Sequence, residues 1–137
     1  RPDLEVQSIR GNVETRISQL DEKQYGAIVL AEAGLVRLDL QHRISQVLPA
    51  QIVLPAVGQG ALGLETRTDD DETRGQLASL DDPATHSAVI AERSLLVTLR
   101  GGCLAPIGAW ARWEEDILLL DAVCLDDKGS SRLPGPR

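Results

Sequence analysis

After Asp82-Pro83 comes a run whose apolar residues recur every three or four positions, and no other stretch constrains the fold as strongly. Ala84, Ala88, Ala91, Leu95 and Leu99 mark one face, with Ile90 and Leu96 widening it. That period belongs to an amphipathic helix. Asp82 is a capping residue, and Pro83 suits the first turn, where its missing N–H costs nothing. The spacing predicts a helix over residues 83–100, with His86 exposed near its start and Arg93 and Arg100 on the polar side. The next stretch, Arg100-Gly101-Gly102-Cys103-Leu104-Ala105-Pro106-Ile107-Gly108, cannot continue it. Its glycines admit positive φ and close approach, and Pro106 blocks an early return to helix. Cys103 is therefore expected on a defined loop with its sulfur reachable. A lone cysteine is more commonly a small buried hydrophobe than a reactive centre, so any chemistry must be argued from the other stretches.

The period then changes from helical to twofold. Residues 107–113 read as a strand, Glu114-Glu115-Asp116 as a turn, residues 117–125 as a second strand and residues 126–129 as a second turn. Short strands with tight turns imply an antiparallel sheet. Cys124 falls in the second strand, where packing accounts for it. The first sixty residues have a different rhythm. Residues 4–9 alternate weakly, with Leu4, Val6 and Ser8 against Glu5, Gln7 and Ile9. Val13, Ile17 and Leu20 make one helical face behind Asn12, a capping residue, so a helix is expected over 12–21. Residues 27–31 are a continuous apolar run, the pattern of a buried parallel strand. Short helices are expected over 32–38 and 41–48, and a strand over 51–55. Asp70 or Asp71 is expected to cap a helix through Leu80. The fold class is thus α/β in the first part and α+β in the C-terminal part, with a boundary between about 66 and 82.

The net charge of −7 falls mostly on residues 61–137, which carry eight basic against fourteen acidic side chains. Tyr25, Trp110 and Trp113 are the only aromatic residues. Without a basic stripe or aromatic platforms, nucleic-acid binding is excluded, and any anion site must be built locally. No apolar run approaches membrane-spanning length. Two cysteines make no disulfide framework, and no Cys/His spacing suggests zinc; a reducing cytoplasm is the expected compartment. The chain begins Arg1-Pro2 and contains no Met, so it is expected to be a piece of a longer protein.

Two further stretches carry candidate chemistry. In the first, strand-like sequence, Gly11 and a helix start are flanked by Arg10 and Arg16. A helix N-terminus offers free N–H groups to an anion, and arginine forks suit carboxylates or phosphates. Both arginines can equally be solvated surface residues. In the second, Ala56-Val57-Gly58-Gln59-Gly60-Ala61-Leu62-Gly63, three glycines in six residues imply close backbone packing or a hinge. It lacks the Lys-Ser/Thr ending of a phosphate loop. Gln59 is its single polar side chain and is expected to face a ligand. The acidic residues Asp69, Asp70, Asp71, Asp81 and Asp82 read as turns or caps rather than metal ligands.

Together these stretches resemble one family, porphobilinogen deaminase, also called hydroxymethylbilane synthase. The resemblance is carried by Arg10-Gly11-Asn12-Val13 with Thr15-Arg16, by Leu54 to Ala61, and by Leu99 to Cys103 with Pro106-Ile107-Gly108. Ala31 to Leu35 with Arg37-Leu38, and Ala91-Glu92-Arg93, also fit. The resemblance implies a transferase that condenses four porphobilinogen molecules into hydroxymethylbilane, releasing ammonia at each addition. It implies a dipyrromethane cofactor joined by a thioether to Cys103. Arg10, Arg16 and Arg37 would grip acetate and propionate carboxylates, and Gly11, Asn12, Gln59 and Gly102 would face cofactor or substrate. Residues 1–54 would be the latter part of a central domain like the type II periplasmic binding proteins. Residues 55–81 would form the interdomain crossing and a return segment, and residues 82–137 a truncated cofactor-attachment domain. The full-length protein would be a cytoplasmic monomer. The family's catalytic aspartate would lie upstream of Arg1, leaving no catalytic residue here and an inactive isolated chain.

Two other classes of function remain in play. A non-catalytic, periplasmic-binding-like module for small anions explains Arg10, Arg16 and the hinge, but not a reachable Cys103. A cysteine hydrolase needs a general base near the sulfur, and only His42 and His86 are available, neither within a motif.

Overall fold

The computed structural model describes residues 3–101, 105–126, 129 and 132. The chain forms two compact units, residues 1–47 and 48–137.

In the first unit, helix α1 (Val13–Asp21) begins where Asn12 accepts the backbone N–H of Thr15 at 2.8 Å. Its apolar face centres on Ile17, which is buried. Helix α2 (Glu32–Arg37) buries Leu35, and Gly34 lies against Val13 of α1. A single turn of 3-10 helix, Gln41–Arg43, stands where a helix to residue 48 is expected. Arg43 pairs with Asp21 at the end of α1.

The strands expected at residues 4–9 and 27–31 do not form. Both segments lie outside any described strand, with Val6 at 93% and Val29 at 70% exposure. Apolar patterning alone does not make a strand; the ladder needs a neighbouring backbone, and none pairs with them among the described residues.

In the second unit, residues 51–55 also fail to form the expected strand. The N–H groups of Ile52 and Val53 both turn back onto the Pro49 carbonyl. Just after them, Ala56 makes an isolated antiparallel bridge to Gly108. Helix α3 (Asp71–Leu77) starts at Asp70, the first of the two expected caps, which accepts the Thr73 N–H. A 3-10 turn, Ala78–Leu80, extends it. Helix α4 (Pro83–Thr98) starts at Asp82, which accepts the Thr85 N–H at 2.7 Å, with Pro83 in its first turn.

Helix α4 ends two residues before the expected limit, and the glycines there act differently from expectation. The Arg100 N–H bonds to the Val97 carbonyl and the Gly101 N–H to the Leu96 carbonyl. This is the Schellman arrangement, in which one residue takes the left-handed conformation. That residue is Arg100, with φ of 52°. Gly101 is needed instead for room: a Cβ there would lie 2.7 Å from Leu96 and 2.8 Å from Ile107.

Strands β1 (Ile107–Glu114) and β2 (Ile117–Cys124) form an antiparallel hairpin whose register runs from Ile107↔Cys124 to Glu114↔Ile117. Among the described residues it is the only sheet. Ala109 and Ala111 are buried on one face of β1; having small side chains, they let α4 pack closely. Trp113, on the same face, donates its indole N–H to Ser87 of α4. On the opposite face Arg112 lies 4.0 Å over the Trp110 ring and pairs with Glu114 and Asp121. The fold is therefore mixed helix with a small antiparallel sheet, and no described helix is long and apolar enough to cross a membrane.

Two predictions follow from the packing and the caps. A Cβ at Gly108 would meet Leu54 Cβ at 2.9 Å and the Leu54 carbonyl oxygen at 3.2 Å, whereas one at Gly63 would meet nothing. Gly108→Ala should lower stability by about 1–3 kcal/mol in denaturant titration, while Gly63→Ala should leave it unchanged or raise it by about 0.4–1 kcal/mol. The second concerns acid. Asp70 and Asp82 both lie below the ordinary carboxylate value of 3.8, chiefly because each accepts a backbone N–H, from Thr73 and Thr85. A depressed folded value means the capping contribution is complete above the ordinary value and fades as pH falls through the folded one. Asparagine caps without titrating, so the Asp70→Asn/Asp82→Asn variant should lose less helicity than wild type between pH 5 and 2, as read by far-UV circular dichroism.

Candidate functional site

Arg10, Gly11, Asn12 and Arg16 come together at the start of α1. The turn into the helix needs glycine at position 11, where φ is 113° and a Cβ would lie 2.8 Å from Thr15. Asn12 occupies the Thr15 N–H, so this donor is not free for a ligand. Arg16 reaches back and donates Nε–H to the Gly11 carbonyl at 2.8 Å. This fixes the guanidinium beside the turn and leaves its remaining N–H groups as a planar fork. Arg10 is exposed and has no ion pair or hydrogen bond among the described residues. The hydroxyl of Tyr25 donates to the carbonyl of Ser8 and ties down the segment leading to it.

Arg37 ends α2, the helix whose Gly34 touches Val13 at the start of α1. It too is exposed and unpaired among the described residues. Three guanidinium groups thus stand on neighbouring elements of one small unit, and none has a carboxylate partner there. In a chain of net charge −7, cations left without acidic partners fit an anionic ligand carrying several carboxylates.

Gln59 lies in the other unit, within two successive turns. The Gln59 N–H bonds to the Ala56 carbonyl and the Ala61 N–H to the Gly58 carbonyl. Each turn has a glycine at its third position, Gly58 with φ of 71° and Gly60 with φ of 87°, as a type II turn requires. A Cβ at either would meet nothing within 4 Å. These glycines serve backbone conformation and not the close packing that their spacing suggests. The Gln59 side chain is exposed and has no hydrogen-bond partner among the described residues.

Cys103 and Gly102 lie outside the described residues. Beside the segment that follows them is an open apolar groove of about 380 Å³, lined by residues that include Leu54, Ala56, Pro106, Ile107 and Val123. Cys124 ends β2 half-buried, with its thiol directed at the Leu125 carbonyl. His42 is exposed, and His86 pairs with Asp81 at 3.0 Å. No cluster of metal-ligating side chains occurs among the described residues.

Sequence reasoning passed over Glu92 as a contributor to structure. It is the one buried charged side chain described, at 7% exposure. Its carboxylate accepts the Gly58 N–H at 2.7 Å and the Ala111 N–H at 2.8 Å. The available signal was a glutamate in the middle of the apolar face of α4, flanked by Ala88, Ala91, Leu95 and Leu96.

Comparison with known proteins defines the class. Residues 1–75 match a family model described as "Porphobilinogen deaminase, dipyromethane cofactor binding domain", and residues 86–133 match "Porphobilinogen deaminase, C-terminal domain". A porphobilinogen deaminase of Roseiflexus castenholzii is 52% identical over 120 residues, covering 88% of this chain and 40% of the relative. One of Syntrophobacter fumaroxidans is 51% identical over 123 residues, covering 90% of this chain and 40% of the relative. The chain is a cofactor-binding protein, and it belongs to the porphobilinogen deaminase family. It spans about 40% of the length of these curated relatives.

The arginine geometry separates stability from binding. Arg10→Ala and Arg37→Ala, at exposed sites, should change stability by no more than about 0.5 kcal/mol. Under the carboxylate-binding role proposed for them below, each should weaken binding of a pyrrole polycarboxylate, measured by calorimetry, by about 1.5–3 kcal/mol, the value of a hydrogen bond to a charged group. Arg16→Ala should lower both, because it also frees the Gly11 carbonyl.

Proposed function

We propose that this chain is the carboxylate-binding and cofactor-anchoring portion of a porphobilinogen deaminase, a transferase that condenses four porphobilinogen molecules into hydroxymethylbilane and releases ammonia at each addition. The observation that carries this reading is the set of unpaired arginines in a stretch matching the family's dipyromethane-binding model. Each pyrrole unit bears two carboxylates. Arg10, Arg16 and Arg37 hold such groups by forked hydrogen bonds, with Arg16 positioned by the Gly11 carbonyl. Gly11 and Asn12 shape the turn that presents them, and Gln59 supplies a neutral amide.

Dipyrromethane, when bound, supplies the primer on which the pyrrole chain grows. Cys103 would anchor it as a thioether, and Arg10, Arg16 and Arg37 would hold its carboxylates. The groove beside Pro106 and Ile107 offers apolar surface to a pyrrole ring.

In this reading residues 1–54 belong to a central domain of the periplasmic-binding type, residues 55–81 form the crossing and return segment, and residues 82–137 carry the anchor. The working protein is a cytoplasmic monomer. Asp70 and Asp82 cap helices and Asp81 pairs with His86, so none of these three is assigned to ammonia release. No other aspartate of this chain is assigned that role either, and the isolated chain is proposed to lack turnover.

Intact-mass spectrometry of the full-length protein that contains this chain, after exposure to porphobilinogen, tests the anchor. The expected result is an adduct of two pyrrole units that disappears in Cys103→Ser and persists in Cys124→Ser. An adduct surviving Cys103→Ser overturns the assignment. Reversible binding of pyrrole carboxylates with no adduct in any variant favours the non-catalytic anion-binding module. Normal porphobilinogen consumption by the 137-residue chain overturns the inference that it lacks turnover.

A further inference from the structure

Glu92 sits at the junction of three elements. It projects from α4, and its two carboxylate oxygens accept N–H groups from separate segments, Gly58 in the double turn and Ala111 in β1. A carboxylate at 7% exposure is costly to bury unless its oxygens are hydrogen-bonded, and here both are.

The location gives the bonds a specific consequence. Along β1, alternate N–H groups point away from β2. That of Ala109 bonds to the Pro55 carbonyl, as a third strand would provide. The chain bridges at Ala56 and then leaves the strand through the two glycine turns. Antiparallel pairing would bring Val53 opposite Ala111, but Ile52 and Val53 turn back onto the Pro49 carbonyl, and the Ala111 N–H is taken by Glu92 instead. Its other oxygen holds Gly58, where the departing chain bends away. One side chain thus fixes both the strand edge and the start of the turn that leaves it. Gln59, the next residue, has its own N–H committed to Ala56 and its side chain unpartnered among the described residues.

We propose that Glu92 is a positioning residue whose carboxylate holds the Gly58–Gly60 turn against helix α4 and strand β1 and so sets where Gln59 presents its amide. The geometric claim stands apart from the assignment of pyrrole chemistry; only the use of the Gln59 amide on a pyrrole ligand rests on that reading. Glutamine is the conservative replacement, since it keeps the size but offers one acceptor and one donor. The amide NH₂ would face a backbone N–H, and one of the two bonds must be lost.

Hydrogen exchange and backbone NMR on the 137-residue chain test this. In Glu92→Ala, which strips both acceptors, the expected result is exchange at Gly58 and at Ala111 at least about tenfold faster, the loss of a charged-acceptor hydrogen bond at each. The Gln59 backbone and side-chain resonances should shift with it, while the β1 amides bonded to β2 keep their protection. Glu92→Gln, which keeps one acceptor, should accelerate only one of the two. Unchanged exchange at Gly58 in Glu92→Ala overturns the proposal. Uniform loss of protection across α4 and the hairpin also overturns it, because Glu92 would then be a general support of the fold. Neither outcome bears on the Cys103 adduct, so failure here is distinguishable from failure of the functional reading.

Discussion

The second unit depends on how one buried charge is satisfied. The Glu92 carboxylate has two backbone N–H partners from segments far apart in sequence, and a hydrogen bond to a charged acceptor is stronger than one between neutral groups. Removing it would leave not one unsatisfied donor but two, in a unit whose buried apolar residues, among those described, are Ala109 and Ala111. Where little side-chain surface is buried, directional bonds carry more of the task of specifying a single arrangement. Helix α4, the β1 edge and the glycine turns are therefore best regarded as one piece, with the hairpin face and the Trp113–Ser87 bond completing it.

Local rules were the legible part of the sequence. Asn12, Asp70 and Asp82 cap the three helices they were expected to cap, because capping depends on atoms within three residues of one another. The β1–β2 hairpin was legible for the same reason: its partner is the next segment, two residues away. The strands expected at residues 4–9, 27–31 and 51–55 failed because their patterning specified a burial preference and not a partner. Pro49 adds a local cause for the third, by accepting the N–H groups that a strand would use sideways.

The candidate site was partly legible. The Gly11 turn and Arg16 could be singled out from spacing, yet the spacing did not show that Arg16 is held by the Gly11 carbonyl. Glycines were found correctly but explained less well. Gly58 and Gly60 answer to backbone sign, Gly101 and Gly108 to crowding, and the left-handed residue at the end of α4 is Arg100. A sequence marks a glycine without saying which of its two properties is needed. Glu92 was missed as a contact because a single charged residue on an apolar helix face has no repeating signal, and its partners come from 34 and 19 residues away.

The way β1 ends its ladder also bears on self-association. A strand edge with free N–H and C=O groups invites another chain to add to it. Along β1 the Pro55 carbonyl and the Glu92 carboxylate occupy the outward N–H groups of Ala109 and Ala111, so two of its donors are withheld from an incoming strand. On the far side of β2, Leu125 bridges to Arg132. The hairpin therefore offers an added strand fewer free partners than two bare strands would.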